Sequence, residues 1–139
     1  MNATFTATEE KPEFLLIFRD TDLEKRLPND QVKESMQRFN EWMERWSKRG
    51  NLKGGQPLAS EGRVIAKAQE RVVIDGPFSE SKEVVGGYII VSADNLDEAT
   101  KIAEDWPQLD YGSTVEVRPI LKFCPAMEVA GLEHYPLGT

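Results

Sequence analysis

The stretch VVGGYIIVSADNLDEATKIAEDW, Val84 to Trp106, decides the fold, because it changes period halfway along. From Val84 to Ala93 it is a run of β-branched and aromatic residues, the composition of a strand. Its apolar continuity predicts cover on both faces or nearly so. After Asp94 the spacing becomes helical: Leu96, Ala99, Ile102, Ala103 and Trp106 fall on one stripe. Asp94 or Asn95 supplies the N-cap, Asp97 and Glu98 favour the positive helix end, and Pro107 stops the helix. Two glycines inside the strand, Gly86 and Gly87, predict a bulge or a close backbone approach.

Upstream, FLLIFR (Phe14–Arg19) reads as a central, buried strand, followed by a polar stretch to Pro28. Val32, Met36, Phe39, Met43 and Trp46 then alternate at spacings of four and three, with Trp42 beside them, which predicts a long one-sided helix covering a sheet. Pro28, Asn29 and Asp30 mark its start and Gly50 with Asn51 its stop. LKGGQPLAS suits a loop or an irregular edge strand. RVIAKA and RVVI flank Gln69 and Glu70 as a two-residue hairpin would. Downstream, TVEVRPI (Thr114–Ile120) alternates as a strand with one wet face. The order is that of an α+β domain, a ferredoxin-like βαββαβ-type antiparallel sheet with two helices on one face. The sheet's other face, left bare, would be a large apolar patch, so sheet-to-sheet packing in a homodimer is expected.

Composition narrows the function. The 139 residues and 40% hydrophobic content fit one domain. Seventeen basic residues against twenty-four acidic, a net charge of -7, argue against a nucleic-acid surface. The start MNATFTATEEKPE has neither a basic opening nor an apolar run, no later segment is apolar enough to span a membrane, and residues 1–13 read as a disordered lead-in. The single Cys124 cannot close an intrachain disulfide, which fits the cytoplasm. One Cys and one distant His, His134, make no zinc set, no loop has phosphate-binding context, and FSESK has no local His to activate a serine; no metal or cofactor is expected.

Together GGQPLAS, VIDGPFSESKEVVGGYIIVSADNLDEATKIA and GSTVEVRPI resemble the DGPF domain family within the YCII-related group of dimeric α+β barrel proteins. The resemblance covers residues 14–120 and leaves 121–139 as a C-terminal extension with apolar residues enough to cross a dimer. It implies the dimeric barrel, a family mostly without assigned function, and for several members an association with extracytoplasmic-function sigma factors. Some YCII-related enzymes are thought to pair a His near the first helix with an Asp near the second. This chain has no His between Pro28 and Gly50, and His134 reads as an exposed tail residue.

The opening of DGPFSESKE, Asp75 to Glu83, is a stiff turn by its chemistry, with Asp75 accepting local bonds, Gly76 tolerating positive φ and Pro77 fixing its own. Asp75 either caps that turn or acts as a general base; Phe78 either plugs the core or walls a pocket. Arg19, Lys82 and Arg118 are candidate anion anchors, and Trp42, Trp46, Tyr88 and Tyr111 are either core aromatics or the lining of an aromatic ligand pocket. Two readings of different class follow. One is a dimeric binding or regulatory module for a protein partner or a small-molecule ligand; the other is a cofactor-free lyase or isomerase with Asp75 as base. The missing imidazole favours the first.

Overall fold

The structure, a computed structural model, describes residues 11–75 and 84–133, with the side chains of Ala68 and of residues 73–75 outside that description. Four strands form an antiparallel sheet: β1 (Glu13–Arg19), β2 (Leu52–Pro57), β5 (Val85–Ser92) and β6 (Thr114–Pro119), in the order β2-β5-β1-β6. As expected, β1 is central and the glycine-bearing β2 lies at the edge. The hairpin is also present, β3 (Val64–Ala68) against β4 (Arg71–Asp75), but it makes a separate two-stranded sheet. Gln69 and Glu70 both take positive φ, 51° and 69°, as the tight turns favoured by right-twisted hairpins require.

Along β1 the burial alternates. Phe14, Leu16 and Phe18 point into the core, while Leu15, Ile17 and Arg19 lie half-buried on the other face. The register sets Leu16 beside Ile89 and Val117, and Ile17 beside Tyr88 and Glu116. Along β5, Ile89 and Val91 are buried beneath the helices, while Tyr88 and Ile90 on the other face of the sheet are half-buried within the single chain.

Both long helices lie on that one side, α2 (Asn29–Lys48) and α3 (Leu96–Glu104). Trp42 of α2 is fully buried and donates from Nε1 to the Ile102 carbonyl of α3 at 3.1 Å, which locks the helices together over Leu16 and Val91. Fully burying even a leucine or phenylalanine side chain contributes about 1.5–3 kcal/mol, and the indole is larger. Asn95 is the α3 N-cap, its side chain accepting from the Glu98 amide at 2.8 Å, while Glu98 accepts from the Asp94 amide at 2.5 Å. Three short elements went unseen in the sequence: α1 (Leu23–Arg26), a 3-10 helix (Pro107–Tyr111) and α4 (Pro125–Ala130). Each is at most six residues long, too short for periodicity to show.

The phase of α2 differs from the expected stripe. Ser35 and Trp42 are its buried residues, Phe39, Met43 and Trp46 are half-buried, and Met36 is 41% exposed. Trp42, placed beside the stripe in the sequence reading, is its centre in the fold.

Candidate functional site

That rotation leaves a cavity of about 600 Å³ between α2 and the β2–β5 edge of the sheet. Its helix wall carries Met36, Phe39, Met43 and Ser47, one turn apart or nearly so, and its sheet wall carries Phe18, Ile89 and Leu52. Trp106 and Gln108 close it at the start of the 3-10 helix, with Trp106 packed against Phe18 at a ring-centre distance of 4.4 Å.

Glycines form part of the lining. Gly55 and Gly87 border the cavity from adjacent strands. A Cβ on Gly55 would collide with the backbone of Tyr88 and Ile89, and one on Gly86 would collide with Thr21 Oγ1. Gly86 is also the extra residue of a bulge, since Phe18 pairs with Gly87 and Arg19 with Val85. The expected close approach at Gly86 and Gly87 is therefore present, and it abuts the cavity.

The sequence-predicted residues are dispersed by the fold. Tyr88 borders the cavity, although its register neighbours Gln56 and Ile17 place it on the open sheet face. Trp42 is core and is not part of this cavity's described lining. Trp46 donates to Asp105 at 3.0 Å and lies under Arg49, and Tyr111 lies under Arg38, so neither joins Tyr88 in a pocket. Among the described lining residues the aromatic ones are Phe18, Phe39, Tyr88 and Trp106, of which the sequence reading had named Tyr88 as a ligand-pocket candidate. Arg19 is on the open sheet face, paired with Glu116 at 2.9 Å, and Arg118 reaches the same carboxylate at 3.8 Å. They make a cross-strand ion cluster away from the cavity lining. The Asp75 backbone ends β4 opposite Val64, while its side chain, and all of Phe78, Lys82 and His134, lie outside the described residues.

Chemically the described lining of the cavity is mostly apolar and carries no formal charge. Among its described lining residues no carboxylate, imidazole, ammonium or guanidinium appears, and Tyr88 is the sole ionisable side chain. Besides Tyr88, the lining residues with polar side-chain atoms are Thr21, Ser47, Gln56, Trp106 and Gln108. The charged contacts lie elsewhere, as struts between α2 and the segment after α3. Asp105 accepts from Arg45 and Trp46, and the Asp110 carboxylate and Tyr111 hydroxyl hold the Arg38 guanidinium above its ordinary range. Among the described residues no three His, Cys, Asp or Glu cluster as metal ligands, and no helix is long and apolar enough to cross a membrane.

Met36, Phe39 and Met43 were legible as a stripe but not as a cavity wall. Trp106 was read as core, and Thr21 and Gln108 carried no signal, since their role depends on contacts across the chain.

An uncharacterized protein of Rhizobium meliloti (strain 1021) is 33% identical over 70 residues, which is 50% of this chain and 56% of that relative. The chain therefore spans little more than half the length of the curated relative it matches. A family model described as the YCII-related domain matches residues 13–124, running from the first residue of β1 past the end of β6. On that coverage the chain belongs to the YCII-related domain family.

Proposed function

We propose that the protein is a dimeric binding module of the DGPF type, which holds an apolar, uncharged ligand in the cleft between α2 and β2. The observation that carries this reading is the cavity of about 600 Å³, walled by methionine and aromatic side chains and free of formal charge among its described residues. That size and lining are those of small-molecule sites, and unbranched Met36 and Met43 can repack around different shapes. The strand order β2-β5-β1-β6 with both helices on one face supports the ferredoxin-like topology. The half-buried Leu15, Ile17, Tyr88 and Ile90 on the other face support a sheet-to-sheet dimer. An unpaired Cys124 and an acidic charge of -7 suit a cytoplasmic protein without a nucleic-acid partner.

A neutral fluorescent probe tests the cleft. N-phenyl-α-naphthylamine should bind the wild-type protein, and Met43→Glu, which sets a carboxylate in the apolar wall, should weaken that binding by more than about tenfold. Far-UV circular dichroism checks that the variant folds. Probe binding that is indifferent to Met43→Glu would locate it elsewhere and refute the reading.

A further inference from the structure

Two residues of the cavity wall each carry a buried polar atom that has no partner among the described residues. Gln108 and Trp106 both line the cavity and are 3% and 4% exposed, yet Gln108 Oε1 and Trp106 Nε1 lack a hydrogen-bond partner among the described residues. The Gln108 amide cannot simply be turned over. Its Nε2 donates to the Ser35 carbonyl at 2.8 Å and contacts Ser35 Oγ at 2.6 Å, and a carbonyl only accepts, so the nitrogen must face Ser35. The orphans are thus one acceptor and one donor, two residues apart at the start of the 3-10 helix. Buried atoms of this kind are nearly always paired in folded proteins, which makes two of them in one cavity wall a feature to explain.

We propose, resting on the reading of the cleft as an apolar binding site, that its ligand carries one neutral group that both donates and accepts, a hydroxyl or a primary amide. The group donates to Gln108 Oε1 and accepts from Trp106 Nε1. A carboxylate would be repelled by the Gln108 oxygen and would find no cation among the described lining. An ammonium would satisfy Gln108 and leave the Trp106 N–H unmatched. Neither atom is exposed, to bulk water or to the cavity, so ligand entry moves the wall: the methionines repack and the Gln108 amide tilts about its soft terminal torsion with Nε2 kept on Ser35.

Three probes of nearly one shape separate the cases in calorimetric titrations at neutral pH: β-naphthol, β-methylnaphthalene and the anion β-naphthoate. The naphthol should bind at least about tenfold more tightly than either of the others. Gln108→Leu and Trp106→Phe should each shrink the preference for naphthol over methylnaphthalene while methylnaphthalene still binds. Trp106→Phe keeps the test open if loss of the Ser35 bonds prevents Gln108→Leu from folding. Equal affinities for naphthol and methylnaphthalene, or tightest binding of the naphthoate, would overturn this inference and leave the apolar cleft standing. Binding of none of the three would overturn both.

Discussion

Gly86 shows how much can rest on a missing side chain. It lets β5 bulge beside Arg19 and lets Thr21 fold over the strand, which sets one wall of the cavity. Gly86→Ala should destabilise the protein by about 1–3 kcal/mol through overpacking, seen as a lower denaturant midpoint. Combining it with Thr21→Ala should recover part of the loss, because the first atom met by the new methyl group is the Thr21 hydroxyl. A double variant no more stable than Gly86→Ala alone would mean that Thr21 is not what the glycine accommodates. That a glycine pair in a strand requires a close neighbour was legible in the sequence. That the neighbour is Thr21 was not, since the contact joins residues far apart in the chain. The same holds for Gln108, whose partner Ser35 lies in another element.

The elements themselves were legible where their period was long. Both covering helices, the central strand and the hairpin follow from spacing, and the Asn95 cap follows from residue type. Asn95→Ala should cost about 1 kcal/mol by leaving the Glu98 amide unpaired, measured as a shift in the unfolding midpoint at constant m-value. No change would show that the Glu98 carboxylate, bonded to the Asp94 amide, holds the helix start alone. The phase of α2 was misjudged because sequence periodicity weighs every apolar residue alike. Tertiary contact does not: the Trp42 indole finds both a core and a carbonyl, and so takes the centre, turning Met36 toward the cavity.

For the molecule as a whole, the open face of the sheet is the decisive surface. It carries Leu15, Ile17, Tyr88 and Ile90 in neighbouring registers, flanked by the Arg19–Glu116–Arg118 cluster. Ile17→Lys should convert the proposed dimer to a folded monomer in sedimentation, because the new ammonium opposes packing of a second sheet and lies in register with Glu116. A wild-type protein that sediments as a monomer at micromolar concentration would remove the basis for the dimer. The hairpin poses a different matter. Among the described residues β3 and β4 pair only with each other, and Val64, Ile65 and Val72 are 55%, 67% and 63% exposed. A two-stranded ribbon of this kind is marginal in water on its own. Its amides should therefore exchange with solvent on a faster clock than those of β1 and β5, so that the protein carries two cooperative units of unequal lifetime within one chain.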